Sequence, residues 1–313
     1  MRKVIVGSRG SKLALLQAGQ VMEMLRRVAP QRDFVLKEIR TQGDIMPHLP
    51  LHRFGGTGVF ARELENALLA GQIDMAVHSM KDLTTVLPAC LTIGAVPCRE
   101  DPRDVLIGRR GEKLAELPPG ARVGSGSLRR VAQLRRLRPD LQYLLPLRGN
   151  LDTRLRRLAA GDFDAVVLAR AGLQRLGLPE EGEILSLEDC LPAAGQGALA
   201  LQIRAGDIHA ADLLAPLDHG PSRIAVEGER AFLQRLQAGC QVPAGVLGEV
   251  LPGGTLRIRG IIASLDGRTA LRDTVEGSAA APRELGFALA EKLLNLGGTK
   301  ILAAVRQELD SEC

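Results

Sequence analysis

The chain has 313 residues, 45% hydrophobic and 25% charged, with 41 Lys plus Arg against 36 Asp plus Glu and a net charge of +5. That length and balance fit two or three compact domains and exclude a disordered or fibrous chain. One Tyr, six Phe and no Trp leave almost no platforms for base stacking, and no apolar run reaches bilayer length, so neither nucleic acid nor membrane is an expected partner.

MRKVIVGSRG enters a strand directly with no signal segment, so the expected location is the cytoplasm. Strand Lys3–Gly7, helix Ser11–Val28 and strand Phe34–Ile39 follow from the apolar periodicity. Residues 42–58, QGDIMPHLPLHRFGGTG, are rich in Gly and Pro and lack periodicity, which suits a functional loop such as a lid. Helix Val59–Ala70 comes next, stopped by Gly71, and strand Asp74–His78 follows. A second unit opens near Arg99-Glu100-Asp101-Pro102, with strand Arg122–Gly124, helix Leu128–Arg138, strand Leu141–Leu147, helix Leu151–Ala160 and strand Ala165–Ala169. LPAAGQGALALQI reads as a return crossing into the first sheet. From Pro221 the pattern changes to helix Arg223–Gln237, strands near Val246–Val250 and Leu256–Ala263, and helix Pro282–Leu296. Alternating strands and helices of this kind predict α/β domains with largely parallel sheets, then a small α+β domain.

Arginines beside Gly and Ser mark the helix starts: Arg9-Gly10-Ser11, then Ser127-Leu128-Arg129-Arg130, then Arg148-Gly149-Asn150. A helix N-terminus favours an anion through its unpaired N–H groups, and a guanidinium grips a carboxylate with two parallel bonds. Repetition of the device points to a ligand with many negative groups. Arg9, Arg129, Arg130, Arg148 and Arg154 stand at strand–helix junctions, and Arg175 near one; Arg135, Arg136, Arg156 and Arg157 sit mid-helix as ordinary exposed arginines. Only seven of the 41 basic residues are lysines, which singles out Lys81 in His78-Ser79-Met80-Lys81-Asp82. That segment follows a strand and projects from the carboxyl end of the sheet, where α/β folds bind ligands. A Lys-Asp pair there is either a solvated ion pair or a cation for a substrate acid beside a carboxylate for a developing positive charge.

Five cysteines, Cys90, Cys98, Cys190, Cys240 and Cys313, show no paired metal-ligand spacing, and the five His are scattered. A reducing compartment without a disulfide framework follows, and no metal is expected. Cys240 lies in a Gly/Pro-bounded turn; taken alone, a single Cys is more often an inert small hydrophobe than a reactive thiol, and by that test Cys90 and Cys98 are as plausible as Cys240. No coiled coil or interface stripe is visible, so a monomer is expected.

In order along the chain, GSRGSKLAL, TQGD, GVFARELENALL, DMAVHSMKDL, REDPRDVLIG, VGSGSLRR, LRGNLDTRL, AGLQRLG, LPAAGQGAL and GCQVPAG resemble the porphobilinogen deaminase (hydroxymethylbilane synthase) family. The resemblance spans essentially the whole chain. It implies two similar doubly wound, periplasmic-binding-protein-like α/β domains around a cleft, residues 1–98 with 197–216 and residues 99–196, plus a small α+β domain over 217–313. It also implies a dipyrromethane cofactor joined by a thioether to Cys240, on which four porphobilinogen molecules condense head to tail with loss of ammonia. By the same resemblance Asp82 is the catalytic carboxylate, helped by Lys81. Arg9, Ser11, Ser79, Lys81, Ser127, Arg129, Arg130, Arg148, Arg154, Arg175 and Gln196 bind cofactor and substrate, and Arg53, Thr57 and Phe60 belong to the lid. Arg53 and Thr57 stand where the family often has Lys, Gly126 where another hydroxyl residue is common, and Ala238 where Gly is frequent.

The chemistry agrees with those residue types. Each pyrrole carries an acetate and a propionate, so a growing chain needs many separate cationic grips. Loss of ammonia leaves a positively charged methylene-pyrrolenine, which a fixed carboxylate stabilises where the charge develops. A non-catalytic two-lobed anion-binding protein would use the same helix starts, without needing Asp82 or a thiol adduct. A nucleic-acid binder rests only on the basic pI of about 9.2.

Overall fold

The computed structural model describes residues 3–41, 61–144, 147, 149–178, 182–237 and 242–311. The chain forms two compact units, residues 1–100 with 197–223 and residues 101–196 with 224–313.

In unit 1, strand β1 (Val4–Arg9) turns at Ser11 into helix α1 (Lys12–Val28). Ser11 caps that helix, its Oγ accepting from Ala14 N at 3.3 Å, so one orphan N–H of the first turn is satisfied. Gln17, Ala18, Val21, Met22 and Leu25 recur at helical spacing and form the buried face. Strand β2 (Phe34–Ile39) follows, and helix α2 (Arg62–Leu69) buries Leu64, Ala67 and Leu68. Gly71 ends α2 with φ +66, the left-handed conformation that lets Gln72 N reach Ala67 O at 2.9 Å. Strands β3 (Met75–Ser79) and β4 (Leu91–Ala95) then precede unit 2.

Unit 2 begins with β5 (Asp104–Gly108) and β6 (Arg122–Gly124), then helix α3 (Leu128–Leu137), β7 (Gln142–Leu144), helix α4 (Leu151–Ala159), β8 (Ala165–Ala169), helix α5 (Arg170–Arg175) and β9 (Glu183–Ile184). The chain next returns to unit 1 as β10 (Leu199–Arg204) and helix α6 (Ile208–Leu214). Helix α7 (Gly220–Arg235) leads to an antiparallel meander, β11 (Ala244–Leu251), β12 (Thr255–Ala263) and β13 (Ala270–Ser278), and helices α8 (Pro282–Leu293) and α9 (Thr299–Ser311) close the chain.

The two five-stranded sheets repeat one plan, β2-β1-β3-β10-β4 in unit 1 and β7-β6-β8-β5-β9 in unit 2. In each, the second strand (β1 or β6) lies parallel to both neighbours, and the central strand (β3 or β8) pairs antiparallel with the next. The expectation of largely parallel sheets is therefore corrected: half of each sheet's pairings are antiparallel, because β10 and β5 are inserted from outside the local strand–helix–strand run. The fold is α/β in two sheet domains with a small C-terminal sheet domain, whose core gathers Phe232, Leu236, Val246, Ile258, Leu289 and Leu293. Among the described residues no helix is long and apolar enough to cross a membrane.

Candidate active site

Within unit 1, β1 and β3 run parallel with Gly7 opposite Ala76, so their carboxyl ends carry Arg9 and Ser79 to one edge of the sheet. Beyond Ser79 the chain makes a 3-10 turn over Met80–Asp82. Met80 and Leu83 are buried on either side, and Met80 N donates to Ala198 O at 3.0 Å. The apolar pair fixes the turn, which leaves Lys81 and Asp82 half-buried between them at the strand end. Ser79 Oγ lies 3.1 Å from Gln17 Nε2 and 3.2 Å from Gln17 Oε1, tying the same turn to α1.

His78, one residue earlier, is buried with its Nε2 3.0 Å from Gln202 Oε1, and Gln202 Nε2 donates to Glu65 Oε1 at 3.0 Å. Burial pulls the imidazole down to about 4; the Gln202 hydrogen bond opposes the fall and the charge of Arg9 adds to it. His78 is thus neutral at pH 7 and is no proton donor there. It supports the strand that presents Lys81 and Asp82.

Within unit 2, Ser127 precedes α3 in extended conformation, and its side chain makes no capping bond. Arg129 and Arg130 then turn inward: they are 4% and 5% exposed, and both reach the fully buried carboxylate of Asp104. Arg129 Nη1 donates to Asp104 Oδ2 at 2.8 Å and to Leu191 O at 2.6 Å. Arg130 donates to Asp104 Oδ1 from Nε (3.0 Å) and Nη2 (2.7 Å), and to Val167 O from Nη1 (3.0 Å). Gln196 Nε2 donates to Asp104 Oδ1 at 2.8 Å and to Pro102 O at 2.7 Å. Burial alone would raise the carboxyl of Asp104, but the two guanidiniums overcome it and hold the group well below the usual carboxylate range. The buried thiol of Cys190, 3.5 Å from Asp104 Oδ2, is pushed up to about 12 by burial and by that carboxylate.

Arg154, on α4, donates from Nε to Gly149 O at 2.9 Å and is half-buried, and Arg175 ends α5, also half-buried. A Cβ on Gly126 would stand 2.8 Å from Leu147 O, closer than side chains tolerate. Packing against Leu147 therefore favours glycine at that position. Arg148, Cys240 and the loop residues Arg53, Thr57 and Phe60 lie outside the described residues.

The structure thus gathers Arg9, Ser79, Lys81 and Asp82 at one sheet edge of unit 1, where Ser11 acts as a helix cap. It gathers Arg129, Arg130 and Gln196 on one internal carboxylate in unit 2. Sequence reasoning passed over Asp104, the acid heading the DVLIG strand, although its motif was in view. His78 and Gln17 were hidden as well, since nothing local marks their partners Gln202 and Ser79.

Two family models match the chain: "Porphobilinogen deaminase, dipyromethane cofactor binding domain" over residues 4–212 and "Porphobilinogen deaminase, C-terminal domain" over residues 223–295. Among similar curated proteins, the porphobilinogen deaminase of Desulforudis audaxviator is 52% identical over 306 residues, 97% of this chain and 98% of its own. That of Carboxydothermus hydrogenoformans is 48% identical over 308 residues, 98% of each chain. The Thermus thermophilus protein of the same name is 47% identical over 307 residues, 98% of this chain and 100% of its own. With both models matched in order and about half the residues shared almost end to end, the chain belongs to the porphobilinogen deaminase family.

Proposed function

We propose that this chain is a hydroxymethylbilane synthase, condensing four porphobilinogen molecules head to tail on a dipyrromethane cofactor held by a thioether to Cys240 and releasing ammonia. The observation that carries the reading is the turn Met80–Asp82, which holds a cation and a carboxylate side by side, half-buried, at the sheet edge shared with Arg9. The cofactor's chemistry fits unit 2: two guanidiniums share one carboxylate, and Arg129 Nε is buried without a hydrogen-bond acceptor among the described residues. A ligand carrying acetate and propionate groups supplies the acceptor that such a set lacks. When bound, that group supplies a tethered nucleophilic pyrrole that stays attached between turnovers.

Asp82 stabilises the positive charge that develops as porphobilinogen loses ammonia, and takes or relays the α-proton after the carbon–carbon bond forms. Lys81 and Arg9 bind carboxylates of the reacting pyrroles. Arg129, Arg130, Arg148, Arg154 and Arg175, with Ser79, Ser127 and Gln196, bind and orient the rest of the chain. Holding two pyrroles in register removes much of the entropic cost of coupling, with effective molarities of up to ~10⁵–10⁸ M in favourable systems. The loop 42–58, which carries Arg53 and Thr57, and Phe60 just after it serve as the lid during turnover.

Further parts of the reading are three domains with limits near 1–98 with 197–216, 99–196 and 217–313, and a monomeric, cytoplasmic protein. The three sheets support the first, and the free thiols of Cys90, Cys98 and Cys190 support a reducing compartment. Intact-mass analysis of untreated protein tests the whole. The chain should exceed its polypeptide mass by the dipyrromethane increment, mapped to Cys240, and Cys240→Ser should lack it. A cofactor retained on another cysteine overturns the attachment, and a bare, fully active chain overturns the reading.

A further inference from the structure

Five hydrogen bonds converge on Asp104: from Arg129 Nη1, from Nε and Nη2 of Arg130, from Gln196 Nε2 and from the Cys190 thiol. An ionised carboxylate offers about four lone-pair sites, so this one is saturated. A saturated, fully buried carboxylate has no face left for substrate and no capacity to act as a base. Its work is to hold its donors.

Charge sharpens the point. Among the described residues the cluster contains two guanidiniums and one carboxylate; Cys190 is a neutral thiol and Gln196 an amide. One positive charge is left in excess in a buried place, where an uncompensated charge is costly. Donor capacity is also left over. Among the described residues the hydrogen bonds of Arg129 run from Nη1 alone, and its buried Nε has no acceptor. By contrast, Arg130 uses Nε and both terminal nitrogens on Asp104 and Val167.

We propose that Asp104 is a positioning residue: it anchors Arg129 and Arg130 as a pre-formed pair with the charge and the spare donors to take one further carboxylate, an acetate or propionate of the pyrrole chain, with Arg129 as the presenting member. The proposal rests on the reading that these arginines bind pyrrole carboxylates. It adds a residue that touches no ligand and a stoichiometry of one carboxylate per pair. Without Asp104 the two guanidiniums repel one another and swing away from that arrangement.

The test uses purified full-length protein, with the fraction carrying the covalent increment read by intact mass, and KM and kcat for porphobilinogen and the melting temperature measured alongside. Asp104→Asn keeps the shape and removes the charge. The expected result is a reduced loaded fraction and, in the molecules that are loaded, a KM raised roughly tenfold or more, the scale of one lost hydrogen bond to a charged group, with kcat nearly unchanged. A lowered melting temperature with wild-type loading and KM overturns the proposal, since a purely structural acid would behave so. If Asp104→Asn does not fold, the double variant Asp104→Asn, Arg130→Gln restores one excess charge to the cluster and takes its place; wild-type loading and KM there overturn the proposal equally. Arg129→Leu separates the two layers. If it loads and binds normally, the reading of these arginines fails and the proposal with it; if it is impaired while Asp104→Asn is normal, only the proposal fails.

Discussion

Replacing His78 by Gln should flatten the acid side of the stability profile. The buried imidazole titrates at about 4, against 6.5 in the unfolded chain. Between those values the unfolded state binds the extra proton, and stability rises with pH wherever the unfolded state binds more protons. The native protein therefore loses stability as pH falls from 6.5 toward about 4, and the loss is complete below the folded value. At about 1.4 kcal/mol per pH unit, going from pH 7 to pH 5 removes about 2 kcal/mol, and the ceiling is about 3 kcal/mol. Gln at position 78 keeps a donor for Gln202 Oε1 and has nothing to protonate. Urea unfolding of both proteins at pH 7 and pH 5 measures the effect, because the carboxylates common to both cancel in the difference. The wild type should lose about 2 kcal/mol more than the variant over that interval. Equal losses would show that the folded imidazole takes up its proton over the same range as the unfolded one, and the burial-driven fall assigned to His78 would be wrong.

Asp82→Ala should fold with a melting temperature within a few degrees of wild type, because the side chain is half-buried and Met80 and Leu83 fix the turn; stopped assays of hydroxymethylbilane formation should show turnover reduced by roughly 10² or more. Gly126→Ala should destabilise by about 1–3 kcal/mol, since the new Cβ meets Leu147 O at 2.8 Å and the backbone must shift; calorimetry that finds it neutral would show that this loop has room. Arg154→Leu should raise KM roughly tenfold with little change in melting temperature, because the side chain is half-buried on the first turn of α4. A large loss of melting temperature with unchanged KM would make Arg154 a structural residue.

Local signals carried much of the architecture. Phe34–Ile39, Arg122–Gly124 and Ala165–Ala169 stand where β-branched runs between turn residues put them, and the return crossing became β10 of the first sheet. The elements that escaped share a cause, which is that their apolar pattern is completed elsewhere. Strand β13 is half-exposed along its length and is held by pairing with β12, so ALRDTVEGS shows no buried stripe of its own. Helix α9 follows Gly297, with φ +115, and Gly298, which read as an ending. The antiparallel insertions were equally silent, because strand direction is set by where a distant segment docks and leaves no mark in the segment itself.

The candidate site divides along the same line. Lys81 and Asp82 were legible because one strand and one turn present them, and both determinants are local. The arginine pair was legible only as charge. Positions 129 and 130 looked like a grip on an outside anion, yet in the fold each is buried and already holds an internal one. Asp104 drew no notice in the sequence, because an acid at the head of DVLIG only interrupts the apolar run. Only tertiary structure brings two guanidiniums to it from 25 and 26 residues away and Gln196 from 92. That placement changes the energetic argument. A solvated arginine pair gains little from one more carboxylate, because water screens each contact. A buried pair with one charge too many and an idle Nε gains far more, because the alternative is an uncompensated cation in a poorly polarisable place. If the pair takes a pyrrole carboxylate as we propose, its affinity depends on leaving the internal neutralisation incomplete: a second acid beside Asp104 would stabilise the empty fold and abolish the demand for ligand.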